Sequence, residues 1–167
     1  VFREWAPNAK EIYLIGDFND WKEHGDYRMY HVKNSPGVWE VELQSGAIKH
    51  GDLYKLKVRW NGGEGERIPA WANRVVQDEQ TKIFSAQVWE PENPYRFRKK
   101  VFRAKTDPLM IYECHIGMAQ EEERVGTYNE FREKILPRIA EAGYNCIQIM
   151  AIQEHPYYGS FGYHVSS

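Results

Sequence analysis

The sequence predicts an antiparallel β-sandwich of the immunoglobulin-like kind, followed by the first β-α-β unit of a (β/α)8 barrel that is incomplete. Two observations lead to this fold class. Residues 1–90 contain short segments in which apolar and polar side chains alternate, with turn residues between them. Residues 108–167 contain two continuous apolar runs on either side of a helical pattern. We therefore expect a sandwich over 1–90, a linker over 91–107 and the start of a barrel over 108–167.

Several segments of the first region have the composition and alternation of β-strands. They are Val1–Trp5, Glu11–Phe18, Val38–Leu43, Leu53–Trp60 and Lys82–Trp89. In Leu53–Trp60 one face is apolar (Tyr54, Leu56, Val58, Trp60) and the other is basic (Lys55, Lys57, Arg59). Turns are predicted at 18–21 and in the glycine-rich stretch 61–66. Short alternating strands with one wet face favour two packed antiparallel sheets.

A proline-rich, basic segment separates the two regions. Residues 90–108 carry the basic side chains of Arg96, Arg98, Lys99, Lys100, Arg103 and Lys105. A nucleic-acid-binding arm is one interpretation of this composition. A solvated linker that lies along a second domain is the favoured one, because the rest of the chain has no matching basic face.

The last region has the rhythm of strand, helix and strand. Leu109–Met118 and Asn145–Ile152 are near-continuous apolar runs, as expected of parallel strands covered on both faces. Between them, Thr127 and Glu130 have the spacing of a capping box at a helix start. Apolar residues then recur at helical spacing as far as Gly143, which suits the position after a helix.

Pro137 lies inside this helical pattern. An interior proline costs a helix roughly 3 kcal/mol against alanine, so we expect a kink or a helix in two parts. A right-handed, parallel β-α-β unit follows from the pattern. Two parallel strands and one helix cannot bury both faces of a sheet, whereas a barrel of typically about 250 residues does.

The ends of the two predicted strands carry polar residues where a barrel places its active site. Candidate metal ligands by residue type are His115, Glu154, His155 and His164. No H-x-H or HExxH pairing joins them, so we expect no metal. The plainer interpretation is that Glu113 and His115 form hydrogen bonds within the barrel rim. No pair of carboxylates suited to glycoside hydrolysis is evident, and we expect no catalytic residue in this chain.

Charge and composition argue against two classes of partner, nucleic acids and membranes. The formal net charge of −2 argues against a general affinity for nucleic acid or acidic membranes. No apolar run approaches the length of about 18 residues that spans a membrane. Cys114 and Cys146 lie in apolar runs without CxxC spacing, which favours buried thiols in a reducing compartment and a cytoplasmic location. No signal peptide is visible, although the chain opens on Val1, as expected of a portion of a longer protein.

Aromatic residues make up 14% of the chain, and they either fill a β-rich core or bind sugar rings. Trp21 ends a predicted turn and is expected to be partly exposed, as a platform for a sugar or as a side chain folded over the sheet edge. Trp39 alternates with Val41 and Leu43 and is expected in the core. Lys55 lies on the polar face, where it either donates hydrogen bonds to hydroxyl groups or is simply solvated.

Two stretches resemble known families. "FREWAPNAKEIYLIGDFNDW" resembles the start of a family 48 carbohydrate-binding module. "IYECHIGM" and "ILPRIAEAGYNCIQIMAIQEHPYYGSFGYHVSS" resemble the opening of the catalytic barrel of glycogen and starch branching enzymes, in glycoside hydrolase family 13. The resemblance covers essentially the whole chain.

The resemblance implies an enzyme that cuts an α-1,4-glucan and re-attaches the segment through an α-1,6 bond, by a retaining double displacement and without a cofactor. The family's catalytic residues lie on later barrel strands, so this chain would at most bind glucan. Tyr163 matches the tyrosine that stacks on the sugar at the cleavage subsite, and Trp21 the glucan-stacking tryptophan of the module. Pro36 and Gly37 match the neighbouring loop of that groove, and Lys55 a further binding position.

The partners expected from this resemblance are α-glucan and the remainder of the barrel, with neither nucleic acid nor membrane. Because later barrel elements would cover the strand at "CIQIMAI", we also expect the chain alone to self-associate or to leave that segment poorly ordered. Two rivals stay open from the sequence: a non-catalytic glucan-binding scaffold, and a metal-dependent barrel hydrolase.

Overall fold

The computed structural model describes residues 1–97, 108–155 and 157–165. The chain divides into two compact units, which we call the sandwich unit (Val1–Arg96) and the βαβ unit (from Phe97). Most of the predicted linker, residues 98–107, lies outside the described residues. No helix in the described part of the chain is long and apolar enough to cross a membrane.

The sandwich unit consists of antiparallel strands in two sheets. The strands are β1 (Phe2–Trp5), β2 (Ala9–Gly16), β3 (Tyr30–His31), β4 (Val38–Val41), β5 (Leu53–Trp60), β6 (Gly63–Arg67), β7 (Val75–Gln77) and β8 (Phe84–Gln87). One sheet has the order β1-β4-β3, and the other has the order β2-β5-β8-β7 with β6 paired to β5. The apolar faces of both sheets share one core, as the alternating patterns predict.

Strand β5 shows most directly how the sequence produces this packing. It spans Leu53–Trp60, as predicted, and Tyr54, Leu56 and Val58 are buried while the intervening basic residues are not. Trp39 of β4 is buried too, and its indole Nε1 donates to the Ala6 carbonyl at 2.9 Å. The prediction that Trp39 belongs to the core is confirmed.

One predicted turn is wrong in its extent. Only Asn61 and Gly62 form the turn, because Gly63–Arg67 continues as β6, in antiparallel register with β5 from Trp60↔Gly63 to Leu56↔Arg67. Glycine composition suggested a loop, but cross-strand pairing with β5 outweighs the low strand propensity of Gly63 and Gly65. The short strands β3 and β7 were also missed, since two or three residues carry no readable alternation.

The βαβ unit contains two parallel strands, β9 (Ile111–Cys114) and β10 (Cys146–Ile149), in register from Ile111↔Cys146. The helix between them starts at the predicted capping box, in which the Thr127 hydroxyl accepts from the Glu130 N–H and the Glu130 carboxylate accepts from the Thr127 N–H. Gly143 ends it with φ of 91°. Cys114 and Cys146 are free thiols, and burial raises the pKa of Cys114.

The helix is in two parts, as expected from Pro137. It comprises α1 (Tyr128–Glu130), a π-helical turn at Phe131–Ile135 and α2 (Leu136–Glu141), with Pro137 in the first turn of α2. Pro137 has no N–H to donate to the preceding turn, so one helical hydrogen bond is missing where the π-helical turn passes into α2.

Within the described residues, neither strand of this unit is covered on both faces, as expected of two parallel strands packed against one helix. In β9 only Cys114 is buried, and no closed barrel forms from the described residues. The small core of the unit consists of Cys114, Phe131 and Ile139 with partly buried neighbours, because one helix covers one face of a two-stranded sheet.

Candidate functional site

Trp21 lies at the end of β2, in the turn that follows Gly16. A 3-10 turn (Asp17–Asn19) precedes it, and Trp21 itself has a left-handed backbone with φ of 58°. Its backbone N–H donates to the Gly16 carbonyl at 2.9 Å and its indole Nε1 to the Asp17 carboxylate at 3.0 Å. The side chain is 37% exposed, as the sequence predicts for a turn position.

Lys55 lies at the same end of the β2–β5 pair. It is opposite Ile15, one step from the Gly16 pair, and the Asp17 carboxylate that holds Trp21 also accepts from the Leu53 N–H at 2.7 Å. The Lys55 side chain is mostly buried and its Nζ lies 3.6 Å from the Glu66 carboxylate. Lys55 is therefore already paired within the protein, and a ligand would have to share its ammonium group.

Pro36 and Gly37 lie at the opposite end of β2, so the expectation that they border the Trp21 groove is wrong. The Gly37 carbonyl accepts from the Ala6 N–H at 2.7 Å, three residues before β2 begins at Ala9. Strand β2 spans about 24 Å at roughly 3.4 Å per residue. One sugar subsite cannot contain both Trp21 and Gly37.

The structure instead reveals a groove beside Gly37 that the sequence reasoning missed. We call it the Trp5–Trp60 groove; its volume is about 340 Å³. Its lining residues are Trp5, Ala6, Pro7, Asn8, Ala9, Val58, Trp60 and Arg67. Trp5 is 59% exposed and Trp60 is 45% exposed, so both indoles offer apolar surface to a ligand.

The Trp60 indole lies flat over the glycines of β6. A Cβ atom built on Gly63 would come within 3.3 Å of the ring, and one built on Gly65 within 3.2 Å. Because neither glycine has a side chain, the ring packs directly on the backbone of β6. The glycine-rich stretch that was interpreted as a turn thus supports one wall of the groove.

The Pro36–Gly37 turn fixes the other wall. Gly37 has φ of 79°, and a Cβ atom there would lie 2.9 Å from Pro7 and 3.2 Å from the Trp5 indole nitrogen. Only glycine fits this backbone conformation and this close approach without strain. Gly37 therefore packs behind Pro7 and Trp5 on one side of the Trp5–Trp60 groove, although neither Pro36 nor Gly37 lines it.

Tyr163 belongs to a separate place in the βαβ unit. It is exposed, with its hydroxyl 3.5 Å from the Met150 sulfur. Its segment is held by His115, whose Nε2–H donates to the Phe161 carbonyl at 2.7 Å. The His115 Nδ1 is buried and has no protein partner among the described residues. The predicted hydrogen bonding of His115 at this rim is confirmed.

The four candidate metal ligands do not converge. His155 Nδ1 lies 3.1 Å from the Gln153 carbonyl, while Glu154 and His164 are exposed. Within residues 1–97, 108–155 and 157–165, no group of three or more His, Cys, Asp or Glu side chains could hold a metal ion. Glu113 accepts from the Gln148 amide across the β9–β10 pair at 2.6 Å.

Comparison with known proteins shows which families the chain resembles. Residues 1–72 match the carbohydrate-binding module 48 family, described as the isoamylase N-terminal domain. The solved structures that resemble this chain include a type I pullulanase from Bacillus subtilis crystallised with maltose (TM-score 0.67, 19% identity, 93% of this chain and 23% of that one). A pullulanase from Bacillus acidopullulyticus has a TM-score of 0.68 at 17% identity, over 92% of this chain and 20% of that one. At these identities the likeness shows the fold.

The chain is related over its whole length to 1,4-alpha-glucan-branching enzymes. It is 45% identical to the branching enzyme of Rhizophagus irregularis over 100% of this chain, and 40% identical to that of Dictyostelium discoideum over 99%. A chloroplastic/amyloplastic branching enzyme of Arabidopsis thaliana is 43% identical. The chain spans about a quarter of the length of these relatives: 25%, 25% and 21%.

Proposed function

We propose that the protein is a 1,4-α-glucan branching enzyme and that this chain supplies its glucan-binding module and the opening of its catalytic barrel. The observation that carries the proposal is the 40–45% identity to branching enzymes along the entire chain. The immunoglobulin-like topology of the sandwich unit and the continuation of the βαβ unit into a (β/α)8 barrel are parts of the same proposal. The catalytic carboxylates would come from that continuation.

The glucan site proposed for the module is the Trp5–Trp60 groove. A glucose ring has apolar faces made by its C–H groups and a polar rim of hydroxyl groups. Exposed indoles cover such faces well, because they combine a large rigid apolar surface with an N–H donor. The support for this site is geometric: two half-exposed indoles, one seated on glycines and the other against the Pro36–Gly37 turn, border one groove.

Trp21, together with Lys55, is proposed as a second, weaker contact at the other end of β2. Its indole is partly exposed, but its N–H already donates to Asp17 and the Lys55 ammonium is paired with Glu66. Fewer groups are therefore open to a ligand there. Tyr163 is proposed as a stacking surface for sugar in the assembled catalytic site, which its exposure permits.

Titration with maltoheptaose, followed by calorimetry, tests the module. We expect Trp5→Ala and Trp60→Ala each to weaken binding by roughly tenfold, about 1.4 kcal/mol, through loss of stacked apolar area. Trp21→Ala should weaken it less. Trp71→Ala is the matched control, since this exposed indole lines a different groove with Tyr54 and Trp89. Equal losses for Trp71→Ala and Trp60→Ala would remove the support for the groove.

The enzymatic part needs a different assay. The longer protein, incubated with linear α-1,4-glucan, should produce α-1,6 branches that a debranching enzyme releases as short chains. Glucan binding without any branch formation would instead favour the non-catalytic glucan-binding scaffold. A cytoplasmic location is also proposed, supported by the two free thiols, and imaging of a tagged protein checks it.

A further inference from the structure

A fully buried carboxylate lies beneath the Trp5–Trp60 groove. Glu4 of β1 is 1% exposed, which is rare for a charged residue unless it is paired. Its Oε1 accepts from the Trp5 N–H at 3.0 Å and from Arg67 Nη2 at 2.8 Å, and its Oε2 accepts from the Ala70 N–H at 2.9 Å. Donors thus reach both oxygens, and the ion pair with Arg67 compensates the charge.

Arg67, the partner of this carboxylate, uses only part of its guanidinium in the contact with Glu4. Arg67 Nη2 also donates to the Trp5 carbonyl at 3.1 Å, so both known contacts of the guanidinium use one nitrogen. Neither Nε nor Nη1 has an acceptor among the residues that the structure describes. The side chain is 43% exposed and lines the Trp5–Trp60 groove.

From this geometry we infer that Arg67, held in place by the buried carboxylate of Glu4, orients a glucan chain in the Trp5–Trp60 groove by donating hydrogen bonds to adjacent hydroxyl groups. The inference rests on the proposed function and adds the residue that sets how the sugar lies between the indoles. Glu4 is a positioning residue, because it acts through Arg67.

The chemistry of the glucan hydroxyl groups and of the Arg67 guanidinium supports this assignment. In an α-1,4-linked chain the hydroxyls on C2 and C3 of each glucose are free and adjacent. The planar guanidinium holds its remaining donors, Nε–H and Nη1–H, in fixed directions towards hydroxyl acceptors, whereas indoles supply stacking area without fixing rotation about the ring face. The two roles are therefore complementary: the indoles of Trp5 and Trp60 stack on the sugar, and hydrogen bonds from Arg67 fix its orientation.

The ion pair also predicts which ligands the groove prefers. Glu4 compensates the charge of Arg67, so the pair is close to neutral as seen by a ligand. A neutral glucan should then bind with little dependence on salt, and a phosphorylated glucan should gain little. A free surface arginine would behave differently, because its attraction to anions weakens as salt rises.

The backbone of Trp5 also contacts the Glu4–Arg67 pair, so the residue that stacks on the sugar is held by the pair that orients it. Its N–H donates to Glu4 and its carbonyl accepts from Arg67, so one buried pair holds both backbone groups of the residue whose indole borders the groove. Glu4→Gln keeps a side-chain oxygen for the Trp5 N–H and removes the charge that pairs with Arg67, so its effect reports the guanidinium.

Calorimetric titration of this chain with maltoheptaose tests the inference. Arg67→Ala should weaken binding about tenfold, and Arg67→Lys should recover little of it, since an ammonium that pairs with Glu4 has no second nitrogen to donate to the sugar. Glu4→Gln should weaken binding by a similar factor in the native background and have no further effect when Arg67 is already alanine. A merely structural Glu4 would weaken binding in both backgrounds.

A modified ligand sharpens the same test. Maltoheptaose in which hydrogen replaces the hydroxyl groups on C2 and C3 should bind the native protein about as weakly as maltoheptaose binds Arg67→Ala, and Arg67→Ala should not distinguish the two sugars. Because a lone buried Glu4 could destabilise the Arg67→Ala protein, Glu4→Gln with Arg67→Gln serves as a variant without an unpaired charge. Its thermal unfolding, followed by tryptophan fluorescence, verifies the fold.

The outcomes separate the two proposals. Native affinity in every Arg67 variant, with binding lost in Trp60→Ala, overturns the inference and leaves the groove standing. Binding that Trp5→Ala and Trp60→Ala leave unchanged overturns the groove itself. Strong salt dependence in the native protein contradicts the compensated ion pair.

Discussion

The sandwich unit and the βαβ unit bury their apolar residues to very different degrees. In the sandwich unit, Ile12, Leu14 and Leu56 are almost completely inaccessible to solvent, within a core shared by two sheets. At β9 in the βαβ unit, Leu109, Met110, Ile111 and Tyr112 are all exposed. An antiparallel sandwich can cover its own apolar faces, whereas a parallel pair with one helix leaves a face for further elements. The contrast explains why comparable apolar content produces a closed core in only one unit.

Matched isoleucine substitutions should show the largest difference. Ile12→Ala removes a buried side chain and should lower the free energy of unfolding of the sandwich unit by about 2–5 kcal/mol. Ile111→Ala, at an exposed site, should change that of the βαβ unit by about 0.5 kcal/mol at most. All six tryptophans lie at or before Trp89, so denaturant unfolding followed by tryptophan fluorescence reports the sandwich unit. Helix circular dichroism reports the other unit, and comparable losses from the two substitutions would refute the contrast.

Hydrogen exchange and sedimentation examine the uncovered sheet. Amides of β2 and β5 should exchange only through global unfolding, and those of β9 and β10 much faster. The exposed apolar residues at β9 should also cause self-association that rises with concentration, and Met110→Lys should reduce it. A monodisperse monomer with slow exchange around Cys146 is the result that contradicts it.

The helix cap makes a smaller, local contribution to the stability of the βαβ unit. Thr127→Ala removes the hydroxyl that accepts from the Glu130 N–H and should lower helix stability by about 1 kcal/mol. Thr127→Ser keeps the hydroxyl and should retain most of the stabilisation by the cap. Helix content measured against temperature by circular dichroism distinguishes the two variants, and equal losses would show that the hydroxyl has no role.

Acid should weaken the same cap, with the smallest effect. The Arg124 guanidinium, followed by the Thr127 N–H and hydroxyl, holds the pKa of the Glu130 carboxyl well below its usual range. Because the folded-state pKa is lowered, the contribution is complete above the unfolded value near 4.3 and is lost as the pH falls through the folded value. The carbon-13 chemical shift of the Glu130 carboxyl, followed against pH, should show this lowered pKa. Arg124→Gln should raise the pKa of Glu130. An unchanged pKa in Arg124→Gln would show that the pair is not formed in solution.

Sequence alone was most reliable where a single residue carries a local physical constraint. The alternation of Leu53–Trp60 predicted β5 with its bounds, and Thr127, Pro137 and Gly143 predicted where the helix starts, divides and ends. Each of these signals acts within a few residues, through pleat geometry, capping or a missing N–H. None depends on a distant part of the chain.

Long-range pairing accounts for what was missed. Gly63–Arg67 becomes a strand only because β5 lies beside it, and Trp60 becomes a groove wall only because it rests on that strand. Trp21 and Gly37 seemed to be neighbours but lie at opposite ends of β2, since the register of β2 and the position of the 35–38 turn decide their separation.

The sequence by itself thus determined the strands with clear alternation or apolar runs, the helix with its cap at Thr127 and the similarity to branching enzymes, because these depend on local patterns and residue identity. The tertiary structure decided which aromatic residues share a groove and that Glu4 is buried against Arg67. Those features arise where residues more than fifty positions apart are brought together by sheet packing. The free energy of such contacts depends on burial and distance, which no local pattern encodes.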